Sequence, residues 1–246
     1  MIFGAIVAGG TGSRLKNDKS ITDNSLPDLP KQFLTLNGKP IICYSVDTFL
    51  KTDEIDKLFI GVHPDFVDYM AQIVDKYFSD RRDDIIITVG GDDRNGTLMN
   101  IIDKAYSLFG KAERHFIITH DAVRPFVTKG MIGQNIILVK KYGAVDTVCK
   151  CTDTVISSNG GEYIDSIPDR ATMYNGQTPQ SFDMALFEQY YNNLSDDLRK
   201  TLTDGCKIFS ANGHKVYLAK GESFNMKITT KSDYYSAQAL ADLLLG

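Results

Sequence analysis

The stretch MIFGAIVAGGTGSR, residues 1–14, decides the fold that this sequence predicts. A short apolar run that ends at glycines is typical of a buried strand in a parallel sheet. The glycines after it let the backbone approach a ligand closely, and their N–H groups can surround an anion. Arg14, and Lys31 within PKQF at residues 30–33, add positive charge that suits a polyphosphate. This combination favours a phosphate-binding turn over an ordinary strand-to-helix turn with two surface cations.

Two familiar phosphate motifs are absent from the 246 residues of the sequence. No segment matches GxxxxGK[ST], the pattern of a P-loop. The glycines at 9, 10 and 12 do not fit GxGxxG, so a dinucleotide-dependent oxidoreductase is disfavoured.

Charge and composition exclude several other classes of protein. The net charge of −4 argues against general nucleic-acid binding, so any basic site must be a local concentration of cations. The N-terminal apolar run is too short for a signal sequence, and no segment reaches the length of a membrane span. We therefore expect a cytoplasmic protein with no nucleic-acid or membrane partner. The four cysteines form no CxxC pair, which favours free thiols over a zinc site.

Strand and helix patterns alternate along the first 150 or so residues. Apolar runs at residues 57–62, 85–89 and 115–119 predict buried strands, and segments with helical periodicity separate them. This alternation predicts an α/β fold with a Rossmann-like, doubly wound and mainly parallel sheet, in a single domain over residues 1–246. Ligands collect at the carboxyl ends of strands in such sheets, so the glycines at 9, 10, 90 and 91 should meet at one edge.

The pattern changes near residue 150. Residues 150–175 alternate apolar and polar side chains around NGG at 159–161, which predicts a β-hairpin arm that leaves the sheet. A second subunit or the chain's own domain would have to cover this arm, and composition does not decide between them. Beyond the arm, residues 177–182 are expected to lead the chain back to the domain. We then expect a helix from Asp183, another capped by Thr203 and Asp204, and a C-terminal helix capped by Ser232.

Several motifs occur in one order along the chain: AGGxGxR at residues 8–14, PKQ at 30–32, GGxxR at 90–94, HDAxRP at 120–125, TPQ at 178–180 and NxK at 225–227. This set resembles the cytidylyltransferases that act on polyol phosphates, and the resemblance covers essentially the whole chain. One branch of that family makes CDP-methylerythritol for isoprenoids, and the other makes CDP-ribitol for teichoic acids and some capsules. The AGG variant, YGAVDTV at residues 142–148 and GQTPQSF at 176–182 resemble the ribitol branch. The segment between Arg14 and Lys31 is longer than is usual in either branch.

The resemblance implies a role for each residue that matches a family motif. Four cations would stabilise charge on the transferring phosphates: Arg14, Lys31, Arg170 and Lys227. The residues that bind CTP would be Val7, Ala8, Gly9, Gly10, Gly90, Gly91, Asp92, Asp93, Arg94, Asn95, Gly96, Thr97 and Ala122. The residues that line the polyol phosphate pocket would be Asp121, Arg124, Thr154, Thr178 and Thr203. In the family the arm crosses to a partner subunit, so a homodimer with shared sites is implied.

The reaction implied by the resemblance is attack of ribitol 5-phosphate on the α-phosphorus of CTP, with Mg²⁺ bound mainly through the CTP phosphates. A phosphate monoester is mostly dianionic at pH 7, because its second pKa is about 6, so no general base is needed. A ribulose-5-phosphate reductase is the implied functional partner, and the protein ligands of the metal stay unassigned. Methylerythritol 4-phosphate is the alternative acceptor, and a catalytically inactive nucleotide-binding regulator is the alternative from another class.

Two residues of the HDAxRP motif have more than one interpretation. Asp121 is equally compatible with capping the following turn and with contacting a metal ion or the polyol. His120 is expected to be structural rather than catalytic.

Overall fold

The computed structural model describes residues 1–10, 29–111 and 113–244 of the chain. Within these ranges the strands are β1 (Ile2–Ala8), β2 (Thr35–Leu36), β3 (Lys39–Pro40), β4 (Lys57–Val62), β5 (Ile85–Val89), β6 (Phe116–Asp121), β7 (Ala144–Lys150), β8 (Tyr174–Asp183) and β9 (Tyr217–Lys220). The α-helices are α1 (Ile41–Leu50), α2 (Val67–Tyr77), α3 (Arg94–Phe109), α4 (Lys129–Tyr142), α5 (Met184–Asn193), α6 (Asp196–Thr201), α7 (Gly205–Ala211) and α8 (Lys231–Leu244). Short 3-10 helices cover Lys31–Phe33, Pro64–Phe66, Ser79–Asp84 and Arg170–Thr172.

A seven-stranded sheet forms the centre of the molecule, in the order β5-β4-β1-β6-β8-β7-β9, and β2 pairs with β3 outside it. The pairs β5–β4, β4–β1, β1–β6 and β7–β9 are parallel. Among the strands described for this sheet, only β8 runs against its neighbours, β6 and β7. The predicted α/β fold with a Rossmann-like, mainly parallel sheet is confirmed.

Apolar side chains cover both faces of this sheet. Neighbouring residues of a strand point to opposite faces, so Ile6 packs with the cluster of α1, α2 and α4, and Ala5 with the cluster of α3, α5 and α7. Burial on both faces explains why β1 and β4 are nearly continuous apolar runs in the sequence. A third apolar cluster packs α8 against the β2–β3 segment.

Strand β8 is a difference from the sequence-based expectation, which has residues 177–182 only lead the chain back to the domain. The structure has a ten-residue strand there, although its sequence is rich in polar residues. Thr178, Gln180 and Ser181 are buried in it because each side chain is hydrogen-bonded to a neighbour. Pro179 has no N–H to donate, and the pairing with β7 shifts register opposite it, between Asp146 and Val148.

Helix starts follow the capping side chains. Asp93 accepts a hydrogen bond from the Gly96 N–H, so α3 begins at Arg94, before its apolar face does. Of the predicted pair Thr203 and Asp204, it is Asp204 that caps α7, since its carboxylate accepts from the Cys206 N–H.

The prediction that Ser232 caps the C-terminal helix is wrong. Ser232 lies inside α8, which begins at Lys231. The Thr230 hydroxyl accepts from the Asp233 N–H at 3.2 Å, and the Asp233 carboxylate accepts from the Thr230 N–H at 2.7 Å. This reciprocal pair is a capping box in which an aspartate takes the place of the usual glutamate, and it caps the helix two residues before the predicted position.

The predicted arm is the segment between β7 and β8. Antiparallel pairing of these strands ends with Lys150 opposite Tyr174 and recurs at one isolated bridge between Ser157 and Ser166. Gly161, in the turn at the tip of the arm, has a φ of 79°, a left-handed conformation that favours glycine. Several large apolar side chains of the arm are exposed, namely Ile156, Tyr163, Ile164 and Ile167.

Two further observations concern the whole described chain. No described helix is long and apolar enough to cross a membrane. The four cysteines are free thiols; Cys43 and Cys206 are buried, whereas Cys149 and Cys151 are partly exposed rather than buried.

Candidate active site

A cavity of about 320 Å³ opens at the carboxyl ends of β1 and β6, beside the turn that follows β5. This is the sheet edge at which the sequence predicted that the glycines would meet. The residues that line it are Val7, Ala8, Gly9, Gly10, Lys31, Gln32, Gly91, Asp92, Asp93, Arg94, Thr97, Asp121, Ala122, Val123, Thr203 and Lys227.

The turn after β1 is held in place by Gln32. Its side-chain amide Nε2 donates to the carbonyl oxygens of Ala8 and Gly10, each at 2.9 Å. Both hydrogens of the amide group are used in this way, and the side chain is buried. Because Lys31 precedes Gln32 in the same 3-10 helix, these bonds also fix the point from which Lys31 enters the cavity lining.

The second glycine turn packs against the first turn of α3. A Cβ atom on Gly91 would lie 2.6 Å from the carbonyl carbon of Gly96, so this close approach requires glycine. The Thr97 hydroxyl accepts from the Gly91 N–H at 3.0 Å and donates to the Asp93 carbonyl at 2.8 Å. The start of a helix thus borders the cavity, an arrangement that favours electron-rich ligand groups.

The carboxylate of Asp121 is the electrostatic centre of the site. It accepts from Lys227 Nζ at 2.9 Å, and from the Nε atoms of Arg94 and Arg124 at 3.3 Å each. Burial alone would raise the pKa of Asp121, but the three cations outweigh it and hold this pKa well below its ordinary value. Asp121 is therefore ionised, and it sets the positions of the cations around it.

The loop that carries Asp121 rests on His120 and Thr178. The Thr178 hydroxyl accepts from the Asp121 N–H at 3.1 Å and lies 2.9 Å from His120 Nδ1. His120 Nε2 lies 2.9 Å from the carbonyl oxygen of Arg124, so this nitrogen carries the proton and Nδ1 accepts from Thr178. Burial lowers the pKa of His120 to about 4, and the ring is neutral near pH 7.

The structure brings most of the predicted site residues to this cavity and leaves others apart. Gly90, Asn95, Gly96, Arg124 and Thr178 adjoin the cavity without lining it. Arg124 and Thr178 are buried, and their polar atoms are bonded within the protein. Thr154 and Arg170 are exposed on the arm, where Arg170 Nη1 donates to the Thr152 carbonyl at 2.8 Å. Arg14 lies outside the described residues.

The interpretation of Asp121 as a cap for the following turn holds in part. Its carbonyl oxygen accepts from the Arg124 N–H at 3.1 Å, so its main chain closes the turn while its carboxylate binds cations. The structural interpretation of His120 fits the two bonds of its ring.

The sequence assigned no role to Gln32, Val123 or Gln180, although the two glutamines stand inside the PKQ and TPQ motifs. Gln32 and Val123 line the cavity, whereas Gln180, on β8, is not a lining residue but donates a hydrogen bond to Asp204, next to the lining residue Thr203. Each glutamine is a polar residue without an assigned role in a motif where Lys31 or Thr178 has one, and this is the signal that points to it from the sequence.

Comparisons with known proteins identify the family of the chain. Residues 2–242 match the family IspD, 2-C-methyl-D-erythritol 4-phosphate cytidylyltransferase. The chain is 42% identical over 242 residues to a protein of Streptococcus pneumoniae serotype 2 (strain D39) named ribitol-5-phosphate cytidylyltransferase, and this match covers 98% of the chain and 99% of that protein.

Solved structures show the same architecture. The 4-diphosphocytidyl-2C-methyl-D-erythritol synthase of Anaerococcus prevotii superposes with a TM-score of 0.77 at 27% identity, covering 98% of each chain. The 2-C-methyl-D-erythritol 4-phosphate cytidylyltransferase of Thermus thermophilus, at 22% identity, shares the fold with a TM-score of 0.70, covering 98% of this chain and all of that one (100%). With matches of this length to the family and to its members, the chain belongs to the IspD family of cytidylyltransferases.

Proposed function

We propose that the chain transfers the cytidylyl group of CTP to D-ribitol 5-phosphate, giving CDP-ribitol and pyrophosphate. The observation that carries this proposal is the 42% identity, over 98% of the chain, to relatives named ribitol-5-phosphate cytidylyltransferase. The cavity supports it, since glycine turns, a helix start and two lysines border one space.

The proposed reaction is a displacement at the α-phosphorus of CTP. A phosphate oxygen of the acceptor forms a new P–O bond to that phosphorus. The bond from the α-phosphorus to the oxygen that bridges it to the β-phosphorus breaks, and its electron pair leaves with pyrophosphate. No proton has to be removed, because the acceptor phosphate is mostly dianionic with a second pKa of about 6.

The titratable groups near the cavity suit a reaction without a general base. His120 is neutral, but both of its ring nitrogens are engaged within the protein. Asp121 is ionised and its oxygens accept from three cations, which makes it a poor proton acceptor. What remains for the protein is to position two polyanions and to stabilise the charge on the leaving group.

Lys31 and Lys227 would stabilise that charge from the cavity wall, together with Arg14 and the arm residue Arg170. Asp121 holds Lys227 Nζ at 2.9 Å, so the ammonium group is already in place before a ligand arrives. A preorganised cation of this kind loses no free energy to reorganisation when charge develops.

Magnesium is the proposed metal, bound mainly through the CTP phosphates. No group of three His, Cys, Asp or Glu side chains that could hold a metal ion occurs among the described residues. Asp121 is saturated by cations, whereas Asp92 and Asp93 are exposed carboxylates on the cavity wall. A site with only these two exposed carboxylates fits Mg²⁺, which takes few protein ligands and several phosphate and water oxygens. When bound, it would neutralise phosphate charge.

The acceptor decides between the two branches of the family. Methylerythritol 4-phosphate is the second candidate, because the matching family and the similar solved structures bear that name. A pocket that hydrogen-bonds hydroxyl groups discriminates more strongly than one that excludes a methyl group. We expect kcat/KM to favour ribitol 5-phosphate by about tenfold or more.

Release of pyrophosphate from the two acceptors, side by side at saturating CTP, tests this expectation. A preference for methylerythritol 4-phosphate would transfer the chain to the isoprenoid branch. Absence of turnover with both acceptors would favour an inactive nucleotide-binding protein.

The arm supports a further part of the proposal, a homodimer with shared sites. Its exposed apolar residues, Ile156, Tyr163, Ile164 and Ile167, are a surface that a second copy would cover. Thr154 and Arg170 on the same arm would then reach the acceptor phosphate in the partner's cavity. Ribitol 5-phosphate would come from a ribulose-5-phosphate reductase, and CDP-ribitol would serve teichoic acid or capsule synthesis in the cytoplasm.

A further inference from the structure

The loop of residues 202–204, between α6 and α7, brings Thr203 to the cavity. The Thr203 side chain is exposed, and its hydroxyl has no hydrogen-bond partner within the described part of the chain. It is thus available to a ligand. An exposed loop residue is a precise contact only if the backbone on each side of it is held.

One side of this loop is held by Asn95. Its side-chain Nδ2 donates to the carbonyl oxygen of Leu202 at 2.5 Å. Asn95 is buried, with 1% of its surface exposed, and its Oδ1 has no partner within the described residues. It directly follows Arg94, which lines the cavity at the start of α3.

The other side of the loop is held by Gln180. Its side-chain Nε2 donates to Asp204 Oδ2 at 2.8 Å and to Asp146 Oδ1 at 3.0 Å. The second oxygen of Asp204 accepts from the Cys206 N–H at 2.8 Å, so the same carboxylate caps α7. Gln180 is 1% exposed, and both hydrogens of its amide group are used.

We propose that Asn95 and Gln180 are positioning residues for the acceptor, because they hold the residues on either side of Thr203 and thereby set its hydroxyl in the cavity. Asn95 belongs to the helix start that borders the glycine turns, and Gln180 belongs to the central sheet. The pair therefore connects the nucleotide side of the cavity to the acceptor side. This inference rests on the proposed function, since Thr203 must contact the polyol phosphate.

A double-mutant cycle on Asn95 and Thr203 tests the proposal. Asn95→Leu keeps the approximate shape of the side chain and removes the donor to Leu202. We expect kcat/KM for ribitol 5-phosphate at saturating CTP to fall about tenfold, the scale of a small misplacement, while the KM for CTP changes less than about twofold. Thr203→Ala should give a similar loss, and the double variant should lose little more, because the two residues act as a unit.

Asn100→Leu is the matched control. Asn100 is exposed on the same helix, and its Nδ2 donates to the Val89 carbonyl at 3.2 Å. Its replacement should leave kcat/KM for the acceptor within about twofold, since a single bond of this kind contributes little. Gln180→Met should repeat the Asn95→Leu result from the other side of the loop. If that variant does not fold, the Asn95 cycle decides alone.

Each other outcome overturns the inference in a distinct way. If the fall in kcat/KM of the double variant equals the product of the two single falls, Asn95 does not act through Thr203. A rise in the KM for CTP alone would make Asn95 a nucleotide residue, and a lower melting temperature with unchanged kinetics would make it purely structural. If Thr203→Ala is silent while wild type transfers to ribitol 5-phosphate, only the positioning role is lost. If wild type transfers to neither acceptor, the proposed function fails and the inference fails with it.

Discussion

Among single residues, Lys227 shows how the Asp121 carboxylate organises the site. Its Nζ is held by Asp121, and the side chain keeps 37% of its surface exposed on the cavity wall. Lys227→Ala should therefore reduce turnover by about 10²–10³, the usual cost of losing a preorganised group that stabilises the transition state. Folding should change little, because Arg94 and Arg124 still neutralise Asp121.

The measurement is pyrophosphate release at saturating CTP and acceptor, with thermal unfolding as the check on folding. Lys220→Ala is the control, since that side chain is 80% exposed and its ion pair is with Glu222. A loss of less than about tenfold in Lys227→Ala would remove the electrostatic role.

The buried carboxyl of Asp146 predicts how the free energy of unfolding depends on pH. Burial, with a further contribution from the charge of Asp204, raises the pKa of Asp146 to about 6, against the opposing hydrogen bond from Gln180. Because the pKa of Asp146 is raised in the folded state, its protonated carboxyl adds to the free energy of unfolding below the unfolded-state pKa of about 4. This contribution is lost as the pH rises through about 6. Asp146→Asn removes this pH-dependent loss of stability, because an asparagine side chain does not ionise in this range. The free energy of unfolding of the variant should thus rise relative to wild type between pH 4 and pH 7, by up to about 3 kcal/mol.

Urea unfolding at several pH values measures this difference. The buried His120 contributes the opposite trend, because its lowered pKa destabilises the protein as the pH falls, but it does so in both proteins and cancels from the comparison. Asp103→Asn, at an exposed position on α3, serves as the control. A flat difference between pH 4 and pH 7 would show that Asp146 titrates normally.

At the scale of elements, the start of α8 is the sharpest test of the capping geometry. Thr230→Ala removes the side-chain oxygen that accepts from the Asp233 N–H, and it should lower the free energy of unfolding by about 1 kcal/mol. Ser232→Ala, one position into the helix and exposed, should change it by less than about 0.5 kcal/mol. Chemical unfolding of the two variants decides between the caps. A larger loss for Ser232→Ala would reinstate the cap that the sequence predicted.

At the scale of the whole molecule, the arm predicts an active site assembled from two chains. Lys31 borders the cavity, whereas Arg170 lies on the arm. Arg170→Ala and Lys31→Ala should each be nearly inactive alone. Mixed and allowed to exchange subunits, they should regain part of the activity, because a heterodimer has one site with both cations intact.

Mass in solution and activity of the mixture are the two measurements for the assembly. Two copies of the same variant, mixed in the same way, provide the control. A fully active monomer would refute the shared site.

The apolar pattern of the chain is enough to predict which strands carry the site. The apolar runs that became β1, β4 and β6 are buried on both faces, so their pattern needs no knowledge of partners. The run that became β5 lies at the sheet edge and is mostly half-buried. The glycines and cations that follow these runs could be placed at one edge of the sheet because parallel strands end together. Capping depends on neighbours in the chain, which is why Asp204 was recognised as a cap from sequence alone.

The roles of the polar residues, in contrast, depend on contacts between distant parts of the chain. β8 has little apolar pattern, and its polar side chains became buried only because they find partners such as His120 on β6 and Asn135 on α4. Thr178 and Arg124 resemble substrate contacts in sequence, yet the structure uses their polar atoms to support the Asp121 loop. The bond from Asn95 to Leu202 joins residues 107 positions apart, and no local pattern reports it. Hydrogen bonds between distant residues depend on where the whole chain places them, whereas apolar periodicity and caps are written locally.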